Sequence, residues 1–230
     1  MLHIHNPTLS LIGLLLKLAF PRLKIVGNLH TDRSFLKAHH RLGVSLLARI
    51  SHHFICVSRA CAASIPEAVR GRLSNNERLS VILNGIDSRL MAEYVLRHKD
   101  KLQFISGHCM AKEKVAIVVA RMVPAKNCLF VLRLLSETPS IDRMIWFGDG
   151  SLRKVIEVEI DRLGLGSRIE IKGNRPRSEV FQALVDASLY ISASKWEGIG
   201  VATLEAAALG CWPVLSDIPA HKEIADLLDI

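Results

Sequence analysis

From Lys114 onward, short β-branched apolar runs alternate with amphipathic stretches of ten to fifteen residues, and that rhythm restricts the fold more than any other feature of the 230-residue chain. "KVAIVVA" (114–120), "RMIWFG" (143–148), "RIEIKG" (168–173), "SLYISAS" (188–194) and "CWPVLSD" (211–217) read as strands. "NCLFVLRLLSE" (127–137), "SLRKVIEVEIDRLGL" (151–165), "RSEVFQALVDA" (177–187), "GVATLEAAALG" (200–210) and "PAHKEIADLL" (219–228) read as helices, the second with Ser151 as N-cap and Gly164 and Gly166 as stops. Strands joined by helical crossovers pair in parallel, and the helices cover both faces of the sheet. The first half follows the rule less regularly, with strands at "LKIVGNLH" (23–30), "HFICVS" (53–58) and "LSVILNGID" (79–87). The expected class is therefore α/β, with residues 1–87 and 113–230 as two units and the charged, aperiodic stretch 88–112 as their connection.

In open parallel sheets ligands sit beyond the carboxyl ends of the strands. The segments there are "ARMVPAKN", "FGDG", "KGNRPR", "SKWEGIG" and "SDIPAHKE". Arg121 and Lys126, a guanidinium and an ammonium shortly before a helix, suit a diphosphate, although two bases on a solvated loop read the same way alone. Gly148 lies in a tight turn. No segment supplies a GxGxxG dinucleotide fingerprint. In "EGIGVATLE" the amides of Gly198, Ile199, Gly200 and Val201 open a helix without bulky obstruction and can face a phosphate. Glu197 precedes them. Glu205 lies inside a nearly all-apolar helix, where a lone carboxylate needs a partner. Carboxylates at such places accept paired hydrogen bonds from vicinal hydroxyls, against the plainer reading of a helix cap and a surface glutamate.

Taken together, "ARMVPAKN…WFGDG…KGN…SKWEGIGVATLEAAALGCWPVLSD" resembles the donor-binding domain of the family 4 retaining glycosyltransferases. "FICVSRACAAS", "VILNGID" and "VGNLHTD" resemble signatures of that family's first domain. The resemblance implies the GT-B architecture, two Rossmann-like domains facing across a cleft, here 1–87 on the acceptor side and 113–230 on the donor side. It implies that Arg121 and Lys126 hold the donor diphosphate, assisted by the amides of Gly200 and Val201. Glu205 would take the ribose, Glu197 the transferred sugar, and the backbone around Gly173 and Asn174 the base. His30 would stand near the reacting carbon, and Asn84 and Gly85 at the interdomain hinge. The donor would be a UDP- or GDP-sugar, with no metal or other cofactor, and the acceptor a saccharide or lipid-linked molecule of polysaccharide or lipopolysaccharide synthesis. Ile199 replaces a common aromatic and Asn127 a common glycine. On this resemblance the first domain is incomplete and the chain is shortened at both ends. A catalytically inactive homologue, binding nucleotide or a partner protein, is the alternative.

Charge bears on partners. Residues 1–115 hold 17 Lys/Arg against 7 Asp/Glu, a balance of +10, whereas residues 116–230 hold 13 against 15, or −2. An acidic partner is expected for the first half. The bases lack the aromatic interleaving of nucleic-acid binders, so an anionic membrane surface or a phosphorylated ligand fits better. "LSLIGLLLKLAF" (9–20) is shorter than the about 20 apolar residues that span a bilayer. The start "MLHIHNP" has no charged n-region, and the cysteines fall in no CxxC pair or zinc-ligand spacing. The expected place is the cytoplasm, with peripheral contact at the inner face of the plasma membrane. His39, His40, His52 and His53 read as surface or boundary residues because no acid or thiol completes a metal set.

Overall fold

The computed structural model of the chain describes residues 1–97 and 114–230. They form two compact units, one of Met1–Asn84, Trp196–Gly200 and Ile218–Ile230, the other of Gly85–Lys195 and Val201–Asp217.

The first unit is built on a four-stranded parallel sheet. Its strands are β1 (Leu2–Ile4), β2 (Ile25–Leu29), β3 (His53–Cys56) and β4 (Leu79–Val81), in the order β1-β2-β3-β4. The connections are α1 (Ser10–Ala19), α2 (Ala38–Ile50), and the pair α3 (Arg59–Ala63) and α4 (Glu67–Asn75). Ile25, Leu29, Leu47, Phe54 and Ile65 are fully buried between sheet and helices. α1 packs along α2, and its Lys17 turns inward to donate to the Ile50 carbonyl at 2.8 Å. Leu11, Ile12, Leu15 and Leu18 on α1 are exposed, as is Phe20 just beyond it.

The second unit carries α5 (Ser88–Arg97), β5 (Val115–Val119), α6 (Cys128–Glu137), β6 (Arg143–Phe147), α7 (Arg153–Arg162), β7 (Ile169–Gly173), α8 (Arg177–Asp186), β8 (Leu189–Ser192), α9 (Val201–Ala208) and β9 (Trp212–Leu215). Its five strands run parallel in the order β7-β6-β5-β8-β9, which reverses direction at β5, the switch point where such sheets bind ligands. Both faces are covered, so successive residues of one strand enter different cores. Ala116, Val118, Met144 and Trp146 pack with Val131, Leu132, Leu135 and Ile156. Ile117, Ile145 and Phe147 pack with Phe181, Leu184 and Ala206. The last helix, α10 (Pro219–Leu228), belongs to the first unit.

Three expectations need correction. Residues 88–97 are not part of a structureless connection: they form α5, with Met91 buried and Tyr94 edge-on to Phe181 at 5.4 Å. The remainder of that stretch, 98–112, lies outside the described residues. The division does not leave 113–230 as one unit, because Trp196–Gly200 and Ile218–Ile230 group with the first sheet. Their bonds say why: the Gly198 carbonyl accepts from Ser58 Oγ at 2.6 Å, Trp196 stacks on Phe35 at 5.6 Å, and Glu223 accepts from the amides of Arg59 and Ala60 at 2.8 and 3.1 Å. Ser151 does not cap α7, which begins at Arg153 after Leu152 with no side-chain cap. β1 is an addition, a three-residue strand at the edge of the first sheet.

Candidate functional site

At the carboxyl rim of the second sheet, backbone bonds stitch adjacent loops together. Ala120 N–H donates to the Phe147 carbonyl at 2.9 Å, Met122 N–H to that of Asp149 at 3.0 Å, and Gly148 N–H to that of Gly173 at 2.8 Å. Trp146 Nε1 donates to the Ala120 carbonyl at 3.0 Å. Lys195 N–H donates to the Ala125 carbonyl at 2.8 Å, tying the loop after β8 to the one after β5. Gly148 has φ +124°, and a Cβ there would run into the Ala120 carbonyl, so this glycine serves the junction of two loops.

Arg121 stands exposed on this rim. Lys126 closes a single 3₁₀ turn, Pro124–Lys126, and is half-buried. Asn127 follows at φ +51° and ψ +43°, the left-handed conformation that makes glycine common at such a place. Gly173 ends β7 at φ +69°, with Asn174 exposed beside it.

Glu205 sits on α9 with its side chain only 13% exposed, bonded to the guanidinium of Arg177 on α8, which in turn lies over the Phe181 ring at 4.9 Å. The partner that a carboxylate in an apolar helix requires is thus supplied by the fold itself.

His30 is the first residue beyond β2, and the first unit gathers a set of side chains around it. His5, the first residue beyond β1, places Nδ1 2.9 Å from His30 Nε2, with the two rings stacked at 5.2 Å and 22°. The buried Asn28 brings its Nδ2 within 3.1 Å of His5 Nδ1 and 3.3 Å of His5 Nε2. Partial burial, and then the neighbouring His5, hold the His30 pKa below its ordinary value of 6.5. Gly198 packs directly on the His30 carbonyl, where any side chain would collide. Its missing Cβ is therefore used by this contact, a requirement separate from the phosphate approach read from the sequence. Glu197 is half-buried, Ile199 is buried, and Gly200 turns the chain at φ +83°. The structure thus brings His30, Glu197, Gly198, Ile199 and Gly200 into the first unit, and Arg121, Lys126, Gly148, Gly173, Asn174, Val201 and Glu205 into the second. The division between the units falls between Asn84 and Gly85, both exposed.

Sequence reading missed His5, Asn28 and Glu223. The alternation in "HIHNP" was the one available signal for His5, since it sets His3 and His5 on one face of a strand. Among the described residues no group of three His, Cys, Asp or Glu side chains could hold a metal ion. Nor is any helix among them long and apolar enough to cross a membrane. Burial pushes the Cys56 and Cys211 thiols up to about 12 and Cys61 to about 11, which leaves them protonated and unreactive near neutral pH.

The family model described as glycosyl transferases group 1 matches residues 101–227. The phosphatidylinositol N-acetylglucosaminyltransferase GPI3 subunit of Saccharomyces cerevisiae is 25% identical over 173 residues, covering 74% of this chain and 36% of that protein. The GDP-mannose:cellobiosyl-diphosphopolyprenol alpha-mannosyltransferase of Xanthomonas campestris is 26% identical over 157 residues, covering 64% of this chain and 37% of its own length. The chain therefore spans little more than a third of the curated relatives it matches. Among solved structures, Anabaena HepE in complex with UDP and glucose superposes with a TM-score of 0.74 at 21% identity, over 99% of this chain and 67% of that one. At that identity the likeness shows a shared fold, two Rossmann-like units of parallel α/β type.

Proposed function

The chain belongs to the group 1 glycosyl transferases, and we propose that it moves a sugar from a UDP- or GDP-sugar to a saccharide or lipid-linked acceptor with retention of anomeric configuration. The observation that carries this reading is the rim of the second sheet. There two cationic side chains, Arg121 and Lys126, leave β5 on a loop bonded to the loop after β8, which leads toward the first turn of α9. Cations beside a helix N-terminus match the charge of a diphosphate.

In this reading the donor diphosphate lies against Arg121, Lys126 and the amides of Gly200 and Val201. As the bond from the anomeric carbon to the diphosphate oxygen breaks, negative charge grows on that oxygen, and the two cations stabilise it without a metal ion. Glu205 takes the ribose hydroxyls while Arg177 fixes its carboxylate. Gly148 shapes the turn beside the donor, and the backbone at Gly173 and Asn174 meets the base. Glu197 takes the transferred sugar through its hydroxyls, and His30 stands on the acceptor side. Asn84 and Gly85 serve as the hinge.

Calorimetric titration with UDP and with GDP in the presence of a chelator tests the donor site. One of the two should bind, and Arg121→Ala should weaken it at least about tenfold, or ~1.4 kcal/mol. Absence of binding to both would displace this reading in favour of a catalytically inactive partner protein.

The acceptor reading includes a membrane. Leu11, Ile12, Leu15, Leu18 and Phe20 are exposed together, and no Asp or Glu precedes Asp32, while Arg22 and Lys24 follow directly. An apolar helix face bordered by bases fits the interface of an anionic leaflet. Sedimentation with vesicles containing phosphatidylglycerol should pull the protein down at low salt and release it in Leu15→Glu. Equal recovery with neutral vesicles would count against the anionic surface.

A further inference from the structure

A histidine at the end of an edge-proximal strand ordinarily turns freely about its side-chain bonds. His30 does not. Its backbone is held by the Gly198 contact on its carbonyl, and its ring by His5. β1 and β2 pair in parallel with Ile4 opposite Gly27, so His5 lies abreast of Asn28 and two residues short of His30. Asn28 is 6% exposed and aims its amide nitrogen at the His5 ring, which keeps that ring in turn from rotating. The contacts form a line from a buried amide, through one imidazole, to a second imidazole at the surface.

We infer that His5 is a positioning residue for His30: by bonding Nε2 it holds the ring in one orientation, with Nδ1 as the ring atom presented to a ligand. The inference rests on the proposed role of His30 beside the reacting sugar. Its chemistry follows from what an imidazole can do. A neutral ring has one donor and one acceptor nitrogen, so a bond between two neutral rings requires opposite tautomers at the facing atoms. Asn28 Nδ2 is a donor and stands 3.1 Å from His5 Nδ1, so that nitrogen is the acceptor; His30 Nε2 gives the proton between the rings, and His30 Nδ1 is left as an acceptor. His30 therefore offers a ligand one defined polarity instead of a mixture. One added proton is accommodated, since a protonated ring donates to its neutral neighbour. A second is not, because two N–H groups would then face each other. The other ring nearby is His3, 6.3 Å from His5 on the same strand. Partial burial first, and then the His5 ring, hold the His30 pKa below 6.5.

Two variants and two readouts test this. His5→Phe keeps the stacked ring and removes both nitrogens. His5→Asn puts an amide close to where Nδ1 stood. Long-range ¹⁵N–¹H spectra of the imidazoles in the wild type should show His30 as one tautomer, titrating below 6.5. In His5→Phe the tautomers should mix and the titration rise toward 6.5, and in His5→Asn the single tautomer should return. Turnover of the nucleotide sugar that binds should fall about tenfold in kcat in His5→Phe with KM for the donor unchanged, and recover in His5→Asn. Should His5→Phe not fold, Asn28→Ser is read by the same His30 signals. Unaltered His30 tautomers in the variants overturn the inference, as does unaltered kcat alongside altered tautomers. A wild type that neither binds nor turns over a nucleotide sugar sinks the proposed function instead, and the spectra still decide whether His5 orients His30.

Discussion

Asn127 holds a conformation that most side chains resist. At φ +51° its Cβ crowds the following carbonyl, a strain glycine escapes and asparagine tolerates better than other residues. Its carbonyl also accepts from the amide of Phe130 at 3.0 Å, opening α6 directly after Lys126. Asn127→Ala should cost about 1 kcal/mol in urea unfolding, and Asn127→Gly should keep or exceed wild-type stability. A loss of equal size in both would place the role in the side-chain amide instead. Single residues also mark where sequence reading stops. Gly148 and Gly198 stand out in the chain as glycines, but what they make room for, the carbonyls of Ala120 and His30, comes from residues 28 and 168 positions away, and no local pattern reports such a contact. With thiols raised to about 11 and about 12, Cys56, Cys61 and Cys211 should react with a thiol-exchange dye at pH 8 only after denaturant is added. Rapid labelling at Cys56, Cys61 or Cys211 in the folded chain, located by peptide mass, would contradict their burial.

Among elements, the strands and helices of the second half were legible because β5, β6, β8 and β9 are apolar runs, β7 alternates, and α6, α7, α8 and α10 each carry one apolar face. α10 was read to its end residues. α5 was missed although Leu90, Met91, Tyr94 and Val95 have helical spacing, since the charges between them hide the stripe in a short window. Met91 is 3% exposed, so Met91→Ala should lose about 2–5 kcal/mol, and unchanged thermal stability would mean that α5 does not dock. The Arg177–Glu205 pair joins α8 to α9, a contact between elements that the sequence states only as an acid lacking a partner. Arg177→Ala leaves that acid half-buried and alone, with an expected loss of about 1–3 kcal/mol that Glu205→Gln in the same chain should partly restore. Additive losses would show the two side chains to be independent. The same pair qualifies the reading of Glu205 as a ribose ligand, because a nucleotide must share a carboxylate that already has one donor.

For the whole molecule, the uneven charge and the histidines act together through pH. His52 Nδ1 accepts from the Ile25 amide at 3.2 Å and lies 3.4 Å from Lys17 Nζ, an acceptor role that only the unprotonated nitrogen can fill. Desolvation first, then the charges of Lys17, Arg78 and Lys24, hold its pKa below 6.5, and desolvation followed by His5 does the same for His30. In both cases the unfolded chain binds the proton more readily than the folded one. Their contribution to stability is thus fully present above about pH 6.5 and is lost as pH falls through the folded values. Protonation also adds positive charge to residues 1–115, already at +10, so self-repulsion works in the same direction. The urea midpoint should therefore be lower at pH 5.5 than at pH 7.5. Added salt should recover the part due to repulsion and leave the part due to the broken His52 bond. His52→Gln, whose amide oxygen accepts a hydrogen bond at either pH, should flatten the remaining slope. A midpoint that holds or rises on acidification would mean that the two imidazoles are already protonated in the folded chain, and the bonds from Ile25 to His52 and between His5 and His30 would have to be redrawn.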